Sequence, residues 1–127
     1  MTGEVKRSVR VSERLREELA IQLRDLRDPR VAGVLVSRVE MTDDLQLARV
    51  YVRVQPSADG QAAPDDKARR QLIKGLEAAS SRLRREASRG LGLRYAPDLR
   101  FFYDEAPEAH SRIEELLAEI KREDGSR

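Results

Sequence analysis

An α+β sandwich, with helices packed on one face of a three-stranded sheet, is the fold class this sequence predicts. Three observations predict it. Leucines recur every third or fourth residue near the N-terminus. Two short segments alternate apolar and polar residues on either side of a turn. A second helical stretch then separates that pair from a last short strand.

Residues 9–27 carry the first helical pattern, with Val11, Leu15, Leu19, Leu23 and Leu26 on one stripe. Ser8 or Ser12 is expected to cap its start, and Asp28-Pro29 to end it, because a residue before proline avoids helical geometry. Residues 34–41 and 47–55 read as strands. In the second, Ala48, Val50, Val52 and Val54 alternate with Arg49, Tyr51 and Arg53, as on a half-buried strand. Thr42-Asp43-Asp44 supplies turn chemistry, so a long hairpin follows. Residues 56–65 form a loop inside one domain.

Residues 66–89 are helical, with Leu72, Leu76, Ala79, Leu83 and Ala87 on one face. Gly75 has poor helix propensity, and Ser80-Ser81 compete for backbone hydrogen bonds, so a bend is expected near Ala79-Ser80-Ser81. Gly92 and Pro97 break the pattern before a strand at 99–103. A last helix is expected from Pro107, with Ala109, Ile113, Leu116, Leu117 and Ile120 packing on the core.

The 127 residues suit one domain, and no apolar run is long enough to span a bilayer or serve as a secretory signal. Cysteine is absent, which removes disulfides and thiolate metal sites. These features together predict a soluble cytoplasmic protein. The net charge of +2 hides an asymmetry. Residues 1–103 hold 21 Lys+Arg against 15 Asp+Glu, whereas residues 104–127 hold four against eight. A basic, arginine-rich body with an acidic end suggests a polyanion partner.

Catalytic chemistry is thinly represented. His110 is the one histidine, without the companions a metal site needs, and reads as a solvent-facing helical residue. Asp43-Asp44 could act as an acid/base pair or hold a cation, but a turn explains them more simply. No P-loop or Gly-x-Ser-x-Gly elbow occurs, and Gly90-Leu91-Gly92 is too short for a nucleotide fingerprint. The sequence does not predict an enzyme.

Basic residues are better organised. Arg7, Arg10 and Arg14 fall three and four apart, as do Arg82, Arg85 and Arg89, so each set shares a helix face. Such faces match RNA phosphates, although the same charges would equally suit two solvated helices. The five aromatics are Tyr51, Tyr95, Phe101, Phe102 and Tyr103, and strand alternation should bury some, leaving few for base stacking. The RNP aromatics and the Gly-x-x-Gly loop of common single-strand binders are missing. Recognition is therefore expected to rest on phosphate contacts and RNA shape.

Several short motifs in order resemble one family. Arg7-Ser-Val-Arg10-Val11, Glu18-Leu19-Ala20 and Asp28-Pro29-Arg30 look like the first helix and exit of the ribosome-binding factor A family. Val39-Glu40-Met41, Asp44-Leu45, Ala48 and Val50-Tyr51-Val52 are similar to its hairpin, and Leu93-Arg94, Pro97, Leu99, Phe101 and Asp104 to its closing strand. The resemblance runs from about Arg7 to Ile120. It implies a KH-like type II order (α-β-β-α-kink-α-β plus a C-terminal helix) in one RNA-binding domain over residues 1–127. The kink would fall at Ala79-Ser80-Ser81, with serine where the family's Ala-x-Gly has glycine.

The resemblance also implies a non-enzymatic ribosome biogenesis factor without a cofactor. It would bind the 30S subunit and 16S rRNA late in maturation, including processing of the 16S 5′ end, and support growth in the cold. An assembly GTPase would promote its release. Charge pattern and resemblance together nominate Arg7, Arg10 and Arg14 as phosphate contacts, with Ser80, Ser81, Arg82, Arg85 and Arg89 around the kink and Arg30 and Arg94 in second rank. A monomer is expected. Two other readings stay open: a translation or hibernation factor on the ribosome, and an adaptor that binds a protein through its acidic C-terminal helix.

Overall fold

The computed structural model describes residues 6–55 and 64–105, together with Leu117 and Ile120. Helix α1 spans Arg7–Arg24, a 3-10 turn spans Pro29–Val31, and strands β1 (Val34–Met41) and β2 (Leu47–Val54) follow. Helices α2 (Asp66–Ala78) and α3 (Ser80–Ser88) lead to β3 (Asp98–Tyr103).

The leucine stripe of α1 faces inward as its spacing requires: Leu15, Leu19 and Leu23 are buried, with Val11 and Leu26 partly so. Both ends of this helix differ from expectation. It begins at Arg7 behind Lys6, so Ser8 and Ser12 lie inside it rather than capping it. Their hydroxyls turn elsewhere, Ser12 donating to the Val9 carbonyl (2.8 Å) and Ser8 to the Asp43 carboxylate (3.2 Å). The helix stops at Arg24, four residues before Asp28. Asp28 is extended (φ −92°, ψ 120°), as proline demands of its predecessor, and its carboxylate caps the 3-10 turn through the Arg30 N–H.

The hairpin follows the expected bounds, except that β2 ends at Val54. Its register pairs Val34 with Val54, Val36 with Val52, Val39 with Val50 and Met41 with Ala48, all on the face towards the helices. Ser37 is an extra residue at a bulge, and this is why the inward set in β1 steps from Val36 to Val39. The Ser37 hydroxyl reaches both the Tyr51 carbonyl (3.1 Å) and the buried Asp104 carboxylate (2.7 Å), tying all three strands together. Strand β3 lies parallel to β2, giving the order β1-β2-β3. A parallel neighbour needs a long crossover, which α2 and α3 supply.

Those two helices are separate pieces. Ala79 (φ −91°, ψ 0°) interrupts the helix where the bend was expected, with an ordinary negative φ that asks for no glycine. Gly75 has a packing role. A Cβ there would meet Val31 Cγ1 at 2.9 Å and Arg30 Cβ at 3.2 Å, so the missing side chain lets α2 lie directly on the 3-10 turn. Leu15, Leu19, Leu72, Leu76 and Leu83 are wholly enclosed between helices and sheet, each contributing about 2 kcal/mol of burial. The result is the KH-like α+β arrangement, helices on one sheet face. Of the expected C-terminal stripe, Ala109, Ile113 and Leu116 lie outside the described residues. Leu117 and Ile120 are helical but 54% and 53% exposed, so these two do not form part of the core.

Candidate nucleic-acid interface

Helix α3 carries the densest basic run. Its register turns Leu83 and Ala87 into the core and leaves Arg82, Arg85 and Arg89 exposed. Arg84 is different: its guanidinium donates to the Ala96 carbonyl (2.7 and 3.1 Å) and the Pro97 carbonyl (3.1 Å), and lies 3.4 Å from the Asp98 carboxylate. It is a strut that holds the loop before β3 against α3. Between them opens a groove of about 420 Å³, lined by Arg84 itself with Ser81, Arg85, Ser88, Arg89, Leu93 and Ala96.

Two features make this groove suited to an anion. Arg85 and Arg89 share the half-buried Glu86 (3.8 and 3.4 Å), so two guanidinium groups face one carboxylate. Ser81, exposed at the edge of the groove, adds a hydroxyl donor that an incoming oxygen can reach. Ser88, Leu93 and Ala96 were not nominated as site residues from the sequence. Ser88 was within reach, since it sits seven residues from Ser81 on the same helix face, whereas Leu93 and Ala96 arrive through the tertiary tether of Arg84.

Helices α1 and α3 pack together, and Arg14 donates to the Gly90 carbonyl (3.2 Å), which sets it beside Arg89. Arg7 and Arg10 are exposed on the same helix, with no ion pair to any described residue. Ser80 is half-buried at the kink and Ser81 is exposed beside the groove. Arg94 lies in the tethered loop, its guanidinium 5.7 Å from the ring of the exposed Tyr95. Arg30 stands apart. It grips Asp28 through contacts of 2.7, 3.1 and 3.1 Å next to α2, which lowers the Asp28 pKa and raises its own. That guanidinium serves the turn.

The aspartate pair also has structural work. Asp43 accepts from Ser8 and pairs with Lys6 (3.7 Å), while Asp44 accepts from the Thr42 hydroxyl (2.6 Å) and the Gln46 N–H (3.1 Å). No cluster of three His, Cys, Asp or Glu side chains able to hold a metal occurs among the described residues, and His110 lies outside them. No described helix is long and apolar enough to cross a membrane. Strand alternation buries Phe101 and half-buries Tyr103, as expected, and leaves two exposed aromatics: Phe102, which stands beside the half-buried Tyr51 on the outer sheet face, and Tyr95, which is 72% exposed.

Comparison with known proteins gives the family and the fold. The family model described as Ribosome-binding factor A matches residues 7–117. A Sorangium cellulosum protein named ribosome-binding factor A is 65% identical over 126 residues, covering 99% of this chain and 96% of its own. Its namesake in Geobacter sulfurreducens is 36% identical over 121 residues, covering 94% and 96%. Among solved structures, the Thermus thermophilus factor superimposes with a TM-score of 0.60 at 24% identity, covering 76% of this chain and 94% of that one. A Thermotoga maritima protein solved by NMR gives 0.65 at 27% identity, covering 80% and 91%. Coordinates of the Thermus factor fitted into a cryo-EM map of its 30S complex give 0.59 at 24%, covering 77% and 96%. Near-complete coverage by sequence and a shared fold lead to one conclusion: this chain belongs to the ribosome-binding factor A family.

Proposed function

We propose that this chain binds the 30S ribosomal subunit late in its maturation, and that it contacts 16S rRNA through the arginines of α1 and α3 and the groove beside them. The observation that carries the reading is the groove itself, where Arg85 and Arg89 outnumber Glu86 and the exposed Ser81 adds a hydroxyl donor. Family membership supports the ribosome as the partner, and the Thermus relative fitted into a 30S complex supports the small subunit.

The action needs no bond to be made or broken. A factor that binds one rRNA conformation about 1.4 kcal/mol better than another shifts their ratio roughly tenfold. Formation of the mature 16S 5′ region is the conformational step we assign to it. Support of growth in the cold, cytoplasmic residence, monomeric binding and release by an assembly GTPase complete the proposal. Arg7, Arg10, Arg14, Ser80, Ser81, Arg82, Arg85, Arg89 and Arg94 are the proposed contacts.

Sucrose-gradient sedimentation tests it. The tagged chain should migrate with free 30S subunits and not with 70S ribosomes, and its deletion should accumulate precursor 16S rRNA. The Arg82/Arg85/Arg89→Ala variant should bind 30S more weakly, with a smaller 30S peak, while keeping its thermal transition. Migration at the top of the gradient with normal rRNA processing would falsify the proposal. One observation favours a second reading: the exposure of Leu117 and Ile120 in the acidic segment suits an adaptor helix for a protein partner. Deleting residues 107–127 would then leave a stable domain that still sediments with 30S but has lost that partner.

A further inference from the structure

Among the described residues, the helices cover one face of the sheet and nothing covers the other. Across that open face runs a row set by the strand register, Arg38 on β1, Tyr51 on β2 and Phe102 on β3. The Arg38 guanidinium lies 4.0 Å from the centre of the Tyr51 ring, and Tyr51 stacks on Phe102 at 5.5 Å with 29° between planes. Phe102 is 41% exposed, an aromatic surface turned to solvent beside charged neighbours.

Those neighbours are in an unusual electrostatic state. Arg49 and Arg100 stand directly opposite each other on adjacent strands, where like charges repel. Neither has an ion pair to any described residue. Glu40 faces Arg49 from the other side but is engaged by Arg38 at 3.1 Å. Repulsion of this kind is what an anion would relieve, and a π-surface beside it is what an unpaired base would cover.

We propose that this open face is a second RNA surface, which takes an unpaired strand by stacking a base on Phe102 and holding phosphates with Arg49 and Arg100. It lies on the opposite side of the sheet from α1 and α3, so the protein would bridge two RNA segments. The inference rests on the reading that the chain binds RNA. It goes further in adding a single-stranded site to a surface that recognises shape. The chain's own acidic C-terminal segment is the competing occupant. Arginines interrupt the apolar surface on this face, however, whereas a helix stripe such as that of Leu117 and Ile120 docks into a continuous apolar groove.

The test is fluorescence anisotropy of a short labelled oligouridine titrated with the full chain. Phe102→Ala should weaken binding about fivefold or more, the loss expected when one stacked base leaves its platform. Arg100→Gln should weaken binding while leaving thermal stability equal or higher, because it removes one side of the Arg49–Arg100 repulsion. Arg82/Arg85/Arg89→Ala should retain most oligouridine binding while weakening 30S co-sedimentation, so the two surfaces can fail separately. Unchanged affinity in both sheet variants would overturn the inference. So would nuclear Overhauser contacts from the Phe102 ring to Leu117 or Ile120 in the RNA-free chain, since the C-terminal segment would then be the occupant.

Discussion

Asp44 is a surface carboxylate whose work is local. The Thr42 hydroxyl, and after it the Gln46 N–H, hold its pKa below the ordinary value of 3.8. A folded-state pKa below the unfolded one contributes stability that is present above the unfolded value and is lost as pH falls through the folded one. Asp28 behaves likewise, its carboxylate held down chiefly by the hydrogen bond from Arg30. Asp44→Asn should therefore lower the melting temperature near neutral pH, and the gap to the parent should close as pH drops below about 4. Thermal melts of both proteins from neutral to acid pH check this; a gap that stays constant would mean that the charge of Asp44 is not what holds the turn. The turn was legible in the sequence because Thr-Asp-Asp carries its chemistry locally. The pairing of Asp43 with Ser8 was not, since 35 residues separate them.

Helices and strands were read to different depths for a related reason. Leucine spacing and strand alternation encode which face is buried, so Leu15, Leu19, Val50, Val52, Leu72, Leu76 and Leu83 all lie where the pattern put them. Where an element ends depends on tertiary neighbours. Helix α1 stops early because Asp28 and Arg30 build a separate turn on which α2 sits, and no pattern within residues 9–27 announces that. Gly75 is the clearest case: propensity marks it as a weakness, and packing makes it a requirement. Gly75→Ala should gain about 1 kcal/mol in helix propensity. It must then displace Val31, which is only 3% exposed, from 2.9 Å contact. We expect a net destabilisation of about 1–2 kcal/mol, seen as a lower urea midpoint with an unchanged slope. A higher midpoint would show that the turn can shift away from α2. The kink itself survives serine at position 81 because the break falls at Ala79 with negative φ, so the family's glycine is not what bends the chain here.

At the scale of the molecule, net charge says little and its arrangement says more. The arginines separate into those that hold the fold and those left facing solvent, and sequence spacing cannot sort them. Arg82, Arg84 and Arg85 look alike in the sequence, yet Arg84 is bound to the carbonyls of Ala96 and Pro97 while its neighbours are exposed. Arg30 is likewise committed to Asp28. Salt dependence separates the two classes, because each phosphate contact releases condensed counterions and adds about 0.7–0.9 to the slope of log affinity against log salt. Measured for 30S binding across a salt series, Arg82/Arg85/Arg89→Ala should reduce that slope by about two to three. Arg30→Ala should leave the slope unchanged and lower thermal stability instead, because it frees the Asp28 carboxylate and unties the turn beneath α2. A reduced slope for Arg30→Ala would return that residue to the RNA surface. An unchanged slope for the triple variant would mean the α3 arginines only solvate their helix, and would move the phosphate contacts to Arg7, Arg10 and Arg14.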